Sequence, residues 1–259
     1  MDRWRLAFAA ALLALPTAAH AGFALPLSDR GSVFAPHLDV SRLTPRTGPT
    51  VKAAIAAAAR ARRTAGAAER TIAAAMKAGE KAGRVRNYDS LDVPGADGTA
   101  CLYQGHITHH RATGLGMMHC RTVLFAGLFR DGRLNGLGGD TALTAADAYQ
   151  GEYRNGARMG FGIERDKDGF YPGQFGVRHD GGKKTNLEIL GVQHFKGAHW
   201  AGRYGFYSGP KISCTLIKGA VLEGSVLDGY GAKFDARGHL IEQGFYKLGM
   251  PANGSGPPC

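Results

Sequence analysis

With 259 residues, 44% hydrophobic and 20% charged, the chain is long enough to bury a core and too apolar for a purely disordered, solvating segment. Its 39 glycines are about twice the usual share of roughly 7%, and its formal charge of +11 at pH 7 favours acidic partners. After residue 21 no apolar run reaches the roughly 20 residues of a spanning helix, which excludes a helical transmembrane architecture for the expected mature chain.

Residues 1–21 read as a secretory signal. Arg3 and Arg5 precede an apolar run from Leu6 to Leu15, and a small-residue site follows at Ala19-His20-Ala21, so cleavage is expected after Ala21. The expected location is the periplasm or the exterior, where nucleic acid is not an expected partner. Residues 22–49 carry Pro26, Pro36, Pro45 and Pro49 without sustained periodicity and read as an extended leader.

At Thr50 the composition changes to an alanine-dominated, proline-free stretch of high helix propensity, and residues 50–87 are expected to be helical with Thr50 as the cap. Val51 with Ile55, and Ile72 with Met76, are four apart and share a face, but the apolar stripe is thin and Gly66 interrupts it. One long helix or two shorter ones fit. Nine basic residues, Arg60, Arg62, Arg63 and Arg70 among them, stand against Glu69 and Glu80. These four arginines are the candidate contacts to an anionic surface. The apolar side lacks Trp, Phe and Leu, which argues for packing on the rest of the protein over insertion in lipid. Asn87 to Gly98, with Pro94, Gly95 and Asp97-Gly98, reads as a loop at a domain boundary.

Residues 98–249 are organised by a repeat whose clearest copy is YQGEYRNGARMGFG, Tyr149 to Gly162. Tyr149, Gly151 and Tyr153 alternate on one strand face, Asn155-Gly156 is a hairpin-turn signal, and Gly160 and Gly162 close the unit. Phe125, Gly127, Phe129, Asp131-Gly132, Gly136 and Gly138 repeat it upstream, as do Tyr103, Gly105, Gly114 and Gly116. Tyr171, Gly173 and Phe175 open a further, degraded copy. Counting by the opening glycine places units at Gly105, Gly127, Gly151, Gly173, Gly197, Gly224 and Gly244, in steps of 22, 24, 22, 24, 27 and 20 residues. The fifth is ambiguous, because Trp200-Ala201-Gly202-Arg203-Tyr204 also fits the opening pattern.

With a four-residue loop from Asn155 to Arg158, Tyr153 would face Gly160 and Gly151 would face Gly162, leaving a groove in which aromatic rings cover the glycine backbone. The same register sets Ile107 against Gly114, Gly105 against Gly116, Tyr103 against Met118 and Cys101 against Cys120. The last pair is then placed for a disulfide. By elimination Cys214 joins Cys259, securing the tail at 250–259; the alternative leaves Cys259 free or intermolecular.

This grammar resembles the MORN (membrane occupation and recognition nexus) repeat family. The resemblance implies a mainly β fold, an elongated single-layer antiparallel sheet of about six and a half stacked hairpins following the Ala-rich helix. It also implies a scaffold for proteins or lipids.

His106, His109, His110 and His119 lie in the first unit, but His119 falls opposite Leu102 and far from His106, so no metal site and no cofactor are expected. Glu152, Glu164, Asp166 and Asp168 stand beside Arg154, Arg165 and Lys167 and read as a mixed-charge surface. No nucleophile elbow, phosphate loop or zinc-helix motif accompanies them. The reading is an exported, non-enzymatic scaffold or adaptor whose partner is a protein, a second copy of the chain included. A tether to an anionic lipid or envelope surface is the first alternative, and a hydrolase of an envelope polymer the second.

Overall fold

The computed structural model describes residues 37–84, 90–94, 100–143, 147–180, 183–195, 197–210, 221–247 and 249–252. One helix, α1 (Gly48–Arg84), precedes the strands β1 (Ser90–Pro94), β2 (Ala100–Thr108), β3 (Arg111–His119), β4 (Val123–Arg130), β5 (Arg133–Ala142), β6 (Ala148–Arg154) and β7 (Ala157–Arg165). The series continues with β8 (Gly169–Asp180), β9 (Lys183–Phe195), β10 (Ala198–Pro210), β11 (Val221–Phe234), β12 (Leu240–Lys247) and β13 (Met250–Pro251). The strands follow one another across an open sheet in chain order, and neighbouring strands pair antiparallel among the described residues. The fold is therefore mainly β, stacked hairpins preceded by a helix. The chain divides into two compact units, one holding Gly66–Gly156 and the other 37–65 together with 157–252.

The helix starts earlier than Thr50. Thr44 Oγ1 accepts the backbone N–H of Thr47, three residues on, and Pro45 occupies the next position, where a missing N–H costs nothing. In the second unit α1 buries Val51, Ala54 and Ala58 against Val192, Ala201, Ala232 and Phe234. In the first unit it buries Ile72, Ala75 and Met76 against Ala126, flanked by Leu115 and Met117. The stripe that looked thin is an alanine stripe, fully buried at Ala54, Ala61, Ala65, Ala68 and Ala75. Small side chains let the helix backbone come close; a Cβ on Gly79 would lie 2.7 Å from Met117 Cγ.

Ser90–Pro94, expected within a loop, instead forms β1 and pairs along β2 from Ser90–Gln104 to Pro94–Ala100. Its terminal proline suits an edge, since Pro cannot donate to a ladder. Met250–Pro251, expected in the tail, forms β13 against Tyr246 and Lys247.

Two further expectations are corrected. The hairpin turns have two residues rather than four: His109-His110, Asp131-Gly132 and Asn155-Gly156 all take positive φ. Ile107 therefore faces Ala112, not Gly114, and Phe129 faces Leu134. A bulge on the returning strand then restores Gly105 opposite Gly116 and Gly127 opposite Gly138. The second correction concerns the degraded repeats. Gly197 lies outside the strands, with φ 75°, while Gly202 on β10 faces Gly191 and Gly231. Gly224 is not an opening glycine; it lies on β11, ahead of Gly229 and Gly231, which close the same hairpin. The units expected at Gly197 and Gly224 are thus one long hairpin, β10–β11.

Candidate interaction surfaces

Side chains alternate across each strand, so the sheet of each unit has a helix side and a ring side. On the ring side the glycines form a row running across the strands. In the first unit Gly105, Gly116, Gly127, Gly138 and Gly151 are successive partners. In the second, Gly162, Gly173, Gly191, Gly202, Gly231 and Gly244 are. The row is a trench without Cβ atoms.

Tyr103 lies in this trench. A Cβ on Gly116 would come 2.2 Å from its hydroxyl oxygen and 2.5 Å from Cζ, so only glycine fits beneath the ring. The hydroxyl donates toward the carbonyls of His106 (3.1 Å) and Thr113 (3.2 Å), which flank the bulge. Tyr149 donates likewise to Glu152 O, and Tyr171 to Gln174 O. The aromatic-x-Gly spacing thus has a polar purpose: it carries a hydroxyl to the carbonyl three residues on. Where Phe125 and Trp200 replace tyrosine, Leu134 and Leu227 lie against the glycines from the returning strand, and both aromatic residues are only half-buried.

The second aromatics complete the layer. Tyr103 meets Phe129 edge-on at 5.0 Å, Tyr149 meets Tyr153 at 5.2 Å, and Tyr171 meets both Phe175 and Tyr204 at 5.3 and 5.1 Å. Gly114, Gly136 and Gly160 each face the second aromatic of the following hairpin, Phe129, Tyr153 and Phe175 respectively. Burial raises the hydroxyl pKa of Tyr103, Tyr171, Tyr204 and Tyr246 above the ordinary phenol value. The ring side is core, and it offers no open aromatic platform at these positions.

Cys101 and Cys120 form a disulfide across β2 and the end of β3, with a Cα separation of 4.2 Å. Cys214 and Cys259 lie outside the described residues, and with them the expected second bridge. Of the carboxylates considered for catalysis, Glu164 pairs with Arg158, and Asp166 accepts the N–H groups of Asp168 and Gly169 in a turn. Tyr153 donates to the buried Asp140, which sequence reasoning did not single out. His109 and His110 are exposed turn residues, and burial depresses the His119 pKa. Among the described residues no three His, Cys, Asp or Glu side chains converge as a metal site.

The four candidate arginines divide. Arg60 stacks over the Phe161 ring at 4.1 Å, Arg62 is half-buried, and Arg63 and Arg70 are exposed, as are Lys52, Lys77 and Lys81. A second exposed feature lies on β12, where Ile241 and Phe245 are 56% and 43% exposed. That strand is also where the leader is pinned: Gln243 receives the N–H of Thr44 and donates to Arg42 O. Ile241 escaped notice because its exposure follows from the bulge between Lys233 and Phe234, which no residue pattern announces.

Among the described residues no helix is long and apolar enough to cross a membrane. A protein-family model for the MORN repeat matches residues 149–170, which run from β6 through β7 into β8. No curated protein matches the chain.

Proposed function

We propose that this chain, a MORN-repeat protein, works as an exported, non-enzymatic interaction scaffold that binds a protein partner through the strand at the end of its repeat array. The MORN repeat supports an interaction or membrane-associated role in general. The protein-binding form of that role rests on one observation: β12 carries the exposed apolar residues Ile241 and Phe245, and among the described residues its outer edge is covered only from Phe245 onward, by β13 opposite Tyr246 and Lys247 and by the Ala252 N–H on Phe245 O. Backbone groups of an open edge, next to apolar side chains, are what an extended partner segment uses when it adds a strand. The rings and glycines of the ring side serve the core, so the reading does not draw on them.

The test is a photo-crosslinking amino acid introduced separately at Ile241, Phe245 and the exposed Arg121 in cells that produce the protein. A discrete protein adduct at the first two positions and none at Arg121 supports the scaffold reading. An adduct of twice the chain mass identifies the partner as a second copy. Adducts to lipid alone would replace it by the membrane-tether alternative.

A further inference from the structure

Among the described side chains, the outward side of the first unit's stretch of α1 carries three cations in one row. Arg70, Lys77 and Lys81 are all exposed. They are seven and four residues apart, which at 3.6 residues per turn places them within roughly 40° of one another and spreads them over about 16 Å. Ile72, Ala75, Met76 and Ala82 lie buried on the opposite side. Glu69 and Glu80 stand about a quarter turn away, both half-buried, and Ala67, Thr71, Ala74 and Ala78 occupy the other flank. The row is therefore one residue wide, free of interposed acid, and held on a helix whose rear face is fixed to a sheet by Ala126, Leu115 and Met117.

We infer that Arg70, Lys77 and Lys81 form a binding track for a linear polyanion, a polymer bearing phosphate or carboxylate groups at regular intervals. Charge complementarity supplies the attraction, and the arrangement supplies the shape. A straight file of cations matches a chain laid along the helix, whereas a planar lipid surface would also draw on apolar anchors, and this side presents only alanine and threonine between the charges. The rigid seat lowers the ordering cost, because the cations are already aligned before the polymer arrives. This inference is independent of the strand-edge reading above.

Binding of the full-length chain to linear inorganic polyphosphate, to poly-L-glutamate and to phosphatidylglycerol vesicles tests it, each over a range of salt. The variant Arg70→Gln/Lys77→Gln/Lys81→Gln keeps good helix formers on the exposed face, and circular dichroism verifies that the helix is retained. The control Arg121→Gln/Arg154→Gln/Arg237→Gln removes the same charge from exposed positions elsewhere. The expected result is at least a tenfold loss of affinity for one or both polymers in the helix variant and little change in the control. The slope of log K against log salt should become shallower by roughly two, since each phosphate contact to a single strand contributes about 0.7. Preference for polyphosphate or polyglutamate assigns the anionic group. Equal losses in both variants, no polymer binding by the wild type, or binding to vesicles alone would overturn the inference.

Discussion

Gly136 stands directly across from Tyr153, the second aromatic of the next hairpin, and not across from an aromatic of its own. The same displacement holds for Gly229 and Tyr246 at the other end of the array. In the hairpin of Gly136 a two-residue turn and a bulge produce it, and together they make the hairpin's last glycine part of its neighbour's packing. Gly136 also takes φ 118°, which side-chain-bearing residues avoid. Gly136→Ala is expected to lower stability by about 1–3 kcal/mol in urea unfolding, through backbone strain.

Gly116→Ala acts differently, because φ is ordinary there and the obstacle is the Tyr103 ring. An added methyl overpacks the trench, with an expected cost of about 1–3 kcal/mol. In a Tyr103→Leu background that cost should shrink, since a leucine is what lies against Gly127 and Gly138 in the next hairpin. A double-mutant cycle by urea denaturation checks this; additive costs would show that ring and glycine do not meet.

The Cys101–Cys120 bridge closes a loop with a sequence separation of 19. Loop-closure entropy for such a length gives about 3 kcal/mol at most of the stabilisation a native bridge supplies. Replacing both cysteines with serine should shift the urea midpoint down without abolishing the transition. Adding reductant to the wild type should move it in the same direction.

Overpacking the helix seat gives a position-specific contrast. Ala54 is fully buried against β-strand residues, whereas Ala53 beside it is exposed. Ala54→Leu is expected to cost about 1–3 kcal/mol, and Ala53→Leu to stay within about 0.5 kcal/mol. Thermal denaturation of the two variants distinguishes a seated helix from a detached one.

The pH dependence follows from buried imidazoles. Burial lowers the pKa of His199 and of His119. His199 is 6% exposed, packed edge-on against His194 at 4.1 Å, with both ring nitrogens lacking a hydrogen-bond partner within the described structure. The backbone carbonyl of Ala236 and the Asp235 carboxylate pull weakly the other way. The folded state therefore binds fewer protons than the unfolded chain below the ordinary histidine value of about 6.5, and stability should fall as pH drops through that value. His199→Phe should flatten the decline between about pH 7 and 5 in urea titrations. An unchanged slope would place the effect on His119 or elsewhere.

Much of the sheet was legible because tyrosine, glycine and turn residues repeat at fixed spacing, and that spacing is the contact between ring and trench. Gly105 opposite Gly116, and Tyr103 opposite Met118, could be read directly from it. The turn ends were not legible, since a two-residue turn with a bulge and a four-residue loop place the same glycines opposite each other. The long β10–β11 hairpin reads as two units in the sequence because Gly197 and Gly224 keep the period without being in the row. The helix seat is hidden for a simpler reason: in a sequence alanine signals helix propensity, and its burial at Ala54, Ala61, Ala65, Ala68 and Ala75 is set by what packs against it. The cation row could have been found from the seven-residue step between Arg70 and Lys77, yet its one-sided character depends on knowing which face the sheet takes.

The glycine row also acts as a fixed datum from which every hairpin is measured. Gly191 and Gly202 remain partners even though the strands around them run to 13 residues, longer than the nine of β2 and β3. Length can therefore be added beyond the row, toward the turns, without disturbing the neighbours on either side. Hairpins of unequal reach can share one backbone alignment, and the profile of the turn edge becomes free to vary while the ring layer stays the same.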